Sequence, residues 1–265
     1  MPTAVMNDGA TLHYEVEGSG EPALAFLHGW CSNLRHWQPQ AEHFRGSHRV
    51  VRVDRRGMGR SVVEEPAGSA RRHADDLAAV LDVGGVPSAV VVGHAGGATS
   101  ALTFAVAYPE RTLGVVVVDS PMVARPRFDD PTDGFGSLLA SMIAALDGPD
   151  GAAALRGFYN GYFGPTCDPA ISAAAIADAL ETPLAVASAE LRWAIGDADA
   201  AALAEQITTP VLWLTATPPD AALLHSKLRD VTIGVVAGSG HFPQLEVPAQ
   251  TNAMIETFLA QLVRT

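Results

Sequence analysis

The pentapeptide Gly93-His94-Ala95-Gly96-Gly97 has the spacing of a reactive turn. Its small residues at 93, 96 and 97 allow the tight strand-to-helix turn in which a Gly-x-Ser-x-Gly motif presents a nucleophilic hydroxyl. The central residue here is Ala95, and a methyl group cannot form a covalent acyl intermediate. The segment therefore predicts the geometry of a nucleophile elbow that lacks its nucleophile.

Two other glycine-containing segments follow predicted strands. In Leu27-His28-Gly29-Trp30 the backbone N–H of Trp30 is free to face an oxyanion, although the same residues would also make an ordinary turn. The glycines of Asp54-Arg-Arg-Gly57-Met-Gly59-Arg60-Ser61 could be mistaken for a phosphate-binding loop. No Gly-x-Gly-x-x-Gly, no Walker lysine and no helix directly after the glycines accompany them, so we reject nucleotide binding.

Composition and charge restrict the class of protein. The chain has 265 residues, 48% of them hydrophobic, which is typical of a globular protein with one large or two small domains. Lys plus Arg is 17 against 29 for Asp plus Glu, a net charge of −12, so binding to nucleic acid or to anionic membranes is not expected. The N-terminal residues lack the features of a signal peptide, no apolar run is long enough to span a membrane, and two cysteines make no disulfide framework. We expect a soluble, cytoplasmic protein.

Short β-branched runs alternate with alanine-rich helical stretches, as in βαβ units around a parallel sheet. Residues 11–17 alternate in polarity and predict an antiparallel edge strand. Continuous apolar runs predict central parallel strands at Ala23–Leu27, Val50–Asp54, Ala89–Val92, Gly114–Val118, Val211–Leu214 and Ile233–Val236. Helices are predicted near 69–83, 96–108 and 249–263.

The interval between Val118 and Val211 breaks this alternation for about ninety residues, far longer than an ordinary crossover. Helical pieces are predicted at 135–147, 151–160, 169–188 and 197–206. They predict a lid over the carboxyl edge of the sheet, where open α/β sheets bind ligands. We expect a core of residues 1–120 and 207–265, a helical cap of residues 121–206, and an apolar pocket walled by Met122, Phe158, Tyr162, Trp193 and Phe242.

Five segments together resemble the α/β-hydrolase family over essentially the whole chain. They are His28-Gly29-Trp30, Asp54 to Ser61, Gly93 to Gly97, Tyr108-Pro109-Glu110-Arg111 and Gly240-His241-Phe242-Pro243. The resemblance implies an α/β-hydrolase fold, with an eight-stranded, mostly parallel sheet and a helical cap. It also implies that Ala95 stands at the nucleophile position, that His241 is the general base, and that the N–H groups of Trp30 and Gly96 form the oxyanion hole.

Two aspartates compete for the place of the catalytic acid. Most family members carry it after the seventh strand in a Gly-x-x-Asp turn, whereas here Thr215–Pro219 has no glycine and Asp220 follows two prolines. Asp119, after the sixth strand, lies where two branches of the family place the acid: fungal zearalenone lactone hydrolases and cofactor-free 3-hydroxy-4-quinolone 2,4-dioxygenases. Asp119 is therefore favoured as the acid, and Asp220 is the alternative.

Three functions fit these residues. The favoured one is a serine hydrolase of an ester or lactone in a hydrophobic small molecule, inactive in this chain because Ala95 replaces the nucleophile. The second is a cofactor-free dioxygenase that cleaves a 3-hydroxy-4-quinolone-type ring with a His241–Asp119 dyad and needs no elbow oxygen. The third is a ligand binder without catalytic activity. No cofactor or metal is expected, and the sequence leaves open whether the chain forms a homodimer.

Overall fold

A computed structural model describes residues 2–65, 68–120, 134–196 and 200–263. Its eight strands form one sheet in the order β1-β2-β4-β3-β5-β6-β7-β8. β1 and β2 run antiparallel, β2 and β4 also run antiparallel, and all other neighbours are parallel. The strands are β1 Thr3–Val5, β2 Thr11–Glu17, β3 Ala23–Leu27, β4 Val50–Val53, β5 Ala89–His94, β6 Thr112–Val118, β7 Val211–Thr215 and β8 Val231–Val235. The eight-stranded, mostly parallel sheet predicted from the sequence is confirmed.

Helices cover both faces of the sheet, which explains why its central strands are continuously apolar. The helices are α1 Gln38–Phe44, α2 Ala70–Val83, α3 Gly96–Ala107, α4 Gly134–Leu146, α5 Gly151–Asn160, α6 Pro169–Glu181, α7 Leu184–Gly196, α8 Ala200–Glu205, α9 Ala221–Lys227, α10 Pro243–Glu246 and α11 Pro248–Leu262. Val91 of β5 packs in the core formed with α2 and α3, whereas Val90 and Val92 pack in the core formed with α1 and α11. Each of the strands β3 to β7 thus contributes alternate side chains to two cores.

The register of the sheet sets the carboxyl ends of three strands side by side. His94 of β5 pairs with Val118 of β6, and the N–H of Ala95 donates to the carbonyl oxygen of Val118 at 3.0 Å. The N–H of Asp119 donates to the carbonyl oxygen of Leu214 in β7 at 2.7 Å. Ala95 and Asp119, which directly follow adjacent strands, therefore begin neighbouring loops at one edge of the sheet.

Helices α4 to α8, termed the insertion helices, lie between β6 and β7 in the chain. Residues of α4, α5, α6 and α7 form a separate apolar cluster that also includes Cys31 and Phe242. The helix predicted at 169–188 is wrong as a single element, because the structure has two helices separated at Thr182 and Pro183. Proline has no N–H to donate, and its ring disfavours the helical conformation of the residue before it.

The predicted edge position of residues 11–17 is also wrong. β2 has these bounds, but β1 pairs with it and forms the edge of the sheet. β1 has three residues, two of them exposed, so it offers little periodicity to a sequence-based prediction. Among the described residues, no single helix is long and apolar enough to cross a membrane, although the bent pair α6 and Leu184–Ala194 passes that test by length and composition.

Candidate active site

Ala95 occupies a strained turn between β5 and α3. Its φ is +49° and its ψ is −118°, a conformation that costs a residue with a Cβ roughly 1–3 kcal/mol. Two glycines allow the surrounding backbone to close in: a Cβ at Gly97 would lie 2.4 Å from the carbonyl oxygen of His28, and one at Gly93 would lie 2.4 Å from that of Gly97. The sequence therefore builds an elbow that holds the side chain of residue 95 at the carboxyl edge of the sheet.

His241 and Asp119 form a dyad beside this elbow. Nδ1 of His241 lies 2.7 Å from Oδ2 of Asp119. The carboxylate can only accept, so Nδ1 carries the proton and the lone pair of the ring lies on Nε2. Oδ1 of Asp119 accepts hydrogen bonds from the hydroxyl of Thr215 and the N–H of Ala216, both at 2.9 Å.

The same contacts govern the charge of Asp119. Burial by itself would raise the pKa of this carboxyl, but its hydrogen bond and charge interaction with His241 and its bonds from Ala216 and Thr215 outweigh burial, and its pKa lies below the usual value. Asp119 is therefore a carboxylate at neutral pH and can stabilise a positive charge on His241.

Asp220 lies at the pocket wall but has a different partner. Its side chain is exposed, and its Oδ1 accepts the N–H of Leu223 at 3.0 Å, as an N-cap of α9. Of the two aspartates considered from the sequence, the structure brings Asp119 to His241.

The loop that carries His241 is fixed at several points. The backbone N–H of His241 donates to the carbonyl oxygen of Tyr162 at 2.6 Å, and Nε2 of His94 donates to the carbonyl oxygen of His241 at 2.7 Å. The carboxylate of Glu246 accepts the N–H groups of Gly240 and Phe242 at 3.1 Å.

Burial lowers the pKa of His94 well below its usual value, as does the adjacent His241, so His94 stays neutral and acts as a donor.

Trp30 lies in the turn after β3, against the elbow. A Cβ at Gly29 would lie 3.3 Å from the Cβ of Ala95, which shows how closely this turn approaches residue 95. Tyr159 of α5 donates a hydrogen bond to the carbonyl oxygen of Trp30, and the indole Nε1 of Trp30 donates to the carbonyl oxygen of Ala187 in α7 at 2.9 Å. The insertion helices thus hold the turn that carries the Trp30 N–H.

A cavity of about 500 Å³ opens onto the elbow and the dyad. That volume lies within the usual range for small-molecule sites. Four of the side chains predicted to wall a pocket line it, namely Phe158, Tyr162, Trp193 and Phe242, together with Trp30, Ala95, Gly96, Asp119 and His241. The fifth, Met122, lies outside the described residues.

Sequence reasoning missed a buried ion pair in the wall of this cavity. Arg55, which follows β4, donates from Nη2 to Oε2 of Glu190 in α7 at 2.7 Å, and both residues line the cavity. They are 135 residues apart in the chain, and nothing in their local sequence indicates that they meet. The available signal was an arginine directly after a predicted strand at the ligand-binding edge.

The described residues were compared with the ligand sets that hold metal ions in proteins. No group of three or more His, Cys, Asp or Glu side chains among them is arranged to hold a metal ion. The titratable side chains that the structure brings into hydrogen-bond contact beside the elbow are those of His241 and Asp119.

Comparison with known proteins places this geometry in a family. The model of the alpha/beta hydrolase family matches residues 24–254. The chain belongs to that family. Its fold and its strand order agree with this assignment.

Several individual proteins are similar to this chain. The chain is 30% identical over 267 residues to a 2-(acetamidomethylene)succinate hydrolase of Mesorhizobium japonicum, with 91% of each chain covered. It is 38% identical over 119 residues to RutD of Azorhizobium caulinodans, which bears the name of a carbamate hydrolase, but the match covers 45% of this chain and 44% of the relative. The chain thus spans less than half the length of several curated relatives that it matches. The solved structure of Est816, described as an N-acyl homoserine lactone degrading enzyme, is 26% identical with a TM-score of 0.80, covering 97% of this chain and 100% of the other.

Proposed function

We propose that the site is that of a serine hydrolase acting on an ester or lactone of a hydrophobic small molecule, with Ala95 at the nucleophile position. The observation that carries the proposal is the 2.7 Å contact between His241 and Asp119, which lies beside the elbow. The central residue of that elbow, Ala95, has a strained backbone and no side-chain oxygen. A strained non-glycine residue is retained in proteins where the surrounding structure demands it, often at functional sites. On this proposal the chain binds its substrate and does not cleave it.

A serine at position 95 would complete the mechanism. Nε2 of His241 would take the hydroxyl proton as the oxygen attacks the acyl carbonyl, and Asp119 would stabilise the resulting imidazolium. The N–H groups of Trp30 and Gly96 are the proposed oxyanion donors, the latter at the N-terminus of α3, where helix N–H groups have no partner within the helix. His241 would then return the proton to the leaving alcohol, and a water activated in the same way would release the acid.

The pocket supports an apolar substrate, and the insertion helices are proposed as its cap. Aromatic side chains from α5 and α7, among them Phe158 and Trp193, face a cavity whose other wall is the edge of the sheet. The names of the similar proteins include a lactone, a carbamate and 2-(acetamidomethylene)succinate as substrates. The lactone and the carbamate each have a carbonyl carbon open to nucleophilic attack. Ester and lactone bonds are the ones we propose for this chain.

Hydrolysis by an Ala95→Ser variant tests the proposal. We expect the variant to hydrolyse medium-chain p-nitrophenyl esters or an aryl lactone at least about 10³-fold faster than the chain with Ala95, since general-base and oxyanion effects each contribute factors of this order. Ala95→Gly is the matched control, because it changes the same position and adds no oxygen. Equal rates for the Ser and Gly variants across esters, lactones and amides would contradict the proposal.

A second function is favoured by one observation, namely that the dyad is formed without an elbow oxygen. A cofactor-free dioxygenase would use His241 and Asp119 to remove the hydroxyl proton of a 3-hydroxy-4-quinolone, and the anion would react with O₂. One O₂ would be consumed and one CO released for each ring opened. An oxygen-electrode trace with the Ala95 chain and a 2-alkyl-3-hydroxy-4-quinolone distinguishes the two: we expect no uptake, and steady uptake that is lost in His241→Ala would establish the dioxygenase.

A further inference from the structure

The ion pair of Arg55 and Glu190 lies in the wall of the substrate cavity and almost entirely out of water. The side chains are 1% and 6% exposed. Nε2 of His73 in α2 lies 2.9 Å from the second carboxylate oxygen of Glu190. A buried pair of this kind costs desolvation and often contributes little to stability, so its place in a ligand cavity calls for another explanation.

The pair is balanced in charge. Burial alone would raise the pKa of Glu190, but His73 and Arg55 outweigh it and hold the pKa at about 2. Burial and the nearby Arg55 lower the pKa of His73, which is therefore neutral at neutral pH. The single positive charge of Arg55 is thus matched by the single negative charge of Glu190.

The rest of the cavity adds negative charge. Among the described residues that line it, Arg55 is the only Lys or Arg, whereas Asp119 and Asp220 line it in addition to Glu190. An anionic ligand group would therefore meet no uncompensated permanent cation in this wall, and it would lose its own hydration on entry.

Arg55 nevertheless has donors to spare. The guanidinium has five N–H bonds, of which one is directed to Glu190 and another makes a long contact of 3.4 Å to the carbonyl oxygen of Gly29. Nε is buried with no partner among the described residues. Nη1 lies 3.8 Å from the place a Cβ would take at Gly96, so the guanidinium is next to the elbow.

We propose that Arg55 and Glu190 form a charge-balanced recognition pair that binds an uncharged hydrogen-bonding group of the ligand, such as a ketone, amide or hydroxyl, and rejects a carboxylate. The inference rests on the proposed function in one respect, that the same cavity holds the acyl bond. A neutral acceptor gains a hydrogen bond from Arg55 and leaves the charge balance intact. A carboxylate would add an anion to a buried site in which the cation is already paired.

Three ligands of nearly equal shape that cannot be hydrolysed isolate this effect. They are 1-phenylpentane-1,4-dione, 4-oxo-4-phenylbutanoate and valerophenone, whose chains end in a methyl ketone, a carboxylate and an alkyl group. Binding to the chain with Ala95 can be followed by calorimetry or by quenching of Trp30, Trp193 and Trp213, which line the cavity. We expect the diketone to bind at least about 10-fold more tightly than the carboxylate and about 3-fold to 10-fold more tightly than valerophenone.

Substitution of Arg55 and Glu190 tests whether their charge balance causes the preference for the diketone. Glu190→Gln leaves Arg55 uncompensated and should lower the preference for the diketone over the carboxylate by about 10-fold or more, or reverse it. The double variant Arg55→Met/Glu190→Met removes both charges and all the polar side-chain atoms of the pair, and it should abolish the advantage of the diketone over valerophenone. Glu181→Gln is the matched control: the same substitution at an exposed residue of α6, which pairs with Arg35, should leave all three affinities unchanged.

Several outcomes would overturn the inference. These are equal binding of the diketone and the carboxylate by the parent chain, an unchanged preference in folded Glu190→Gln, or no binding of any of the three ligands. If Glu190→Gln fails to fold, the uncharged double variant still tests the inference. If that variant binds the diketone more tightly than valerophenone, as the parent chain is expected to, Arg55 does not have the proposed role. None of these measurements needs turnover, so failure of Ala95→Ser to hydrolyse esters would contradict the proposed function and leave the recognition pair to be judged on binding.

Discussion

Asp119 and Asp220 follow the carboxyl ends of neighbouring strands, β6 and β7, yet they occupy different environments. Asp119 contacts His241 and accepts two further hydrogen bonds, with a side chain that is 17% exposed. Asp220 is exposed and caps a seven-residue helix. Two aspartates that follow neighbouring strands therefore differ in their partners, because the loop after β6 brings Asp119 to His241 and the loop after β7 places Asp220 at the start of α9.

Backbone strain separates the two aspartates as well. Asp119 has a φ of +45°, and the other described non-glycine residues with positive φ are Cys31 and Ala95, both in loops at the same edge of the sheet. Asp220 has an ordinary φ of −70°. Two of these three residues, Ala95 and Asp119, line the cavity, so positive φ in the described non-glycine residues falls mainly at the candidate site.

The largest difference between the two aspartates is expected in turnover. In the Ala95→Ser background, Asp119→Asn should lower kcat by about 10³-fold to 10⁴-fold, because an amide in this place leaves His241 in the wrong tautomer. Asp220→Asn should change kcat by less than about twofold, since exposed substitutions away from such contacts shift free energies by less than about 0.5 kcal/mol. Steady-state kinetics of the two variants on one ester checks this. The reverse order of losses would show that Asp220 is the acid.

A smaller difference between the two aspartates is expected in the free energy of unfolding and in how it depends on pH. The pKa of Asp119 is lowered in the folded protein, so its contribution to the free energy of unfolding is fully present above the ordinary aspartate pKa and is lost as the pH falls through the folded pKa. Asp119→Asn should therefore cost about 1.5–3 kcal/mol at pH 7, the range for hydrogen bonds to charged groups, and less below about pH 4.

Asp220→Asn is the control for this stability measurement. Asparagine is about as good an N-cap as aspartate, so the variant should lie within about 0.5 kcal/mol of the parent at pH 7. Denaturant unfolding of both variants at pH 7 and at pH 3.5 gives the comparison. A cost for Asp119→Asn that stays constant over this range would contradict the contribution assigned to its carboxylate.

The sequence was most informative where local rules determine the structure. Continuous apolar runs predict the parallel strands, and the small residues at 93, 96 and 97 predict the elbow, because the required backbone approach excludes a Cβ at Gly93 and Gly97. Pro183 was a visible signal for the break between α6 and α7 that the periodicity of an alanine-rich segment obscured.

Such local rules do not predict contacts between residues that are far apart in the chain. The pairing of Arg55 with Glu190, 135 residues apart, depends on how α7 packs over the sheet edge, and no local pattern encodes that packing. The same is true of Glu246, whose carboxylate accepts the N–H of Gly164, 82 residues away in the chain, at 2.8 Å. These residues stabilise the site through tertiary contacts, which sequence periodicity does not report.

Covalent labelling at position 95 tests the central claim, that one missing oxygen separates this site from a working acyl-transfer centre. An alkyl fluorophosphonate reacts with a serine only when the base and the oxyanion donors act together, and it requires no knowledge of the substrate. Intact mass and peptide mapping after incubation should show one adduct on position 95 in Ala95→Ser, and none in the parent chain or in Ala95→Ser/His241→Ala. A folded Ala95→Ser variant that remains unlabelled would contradict the account.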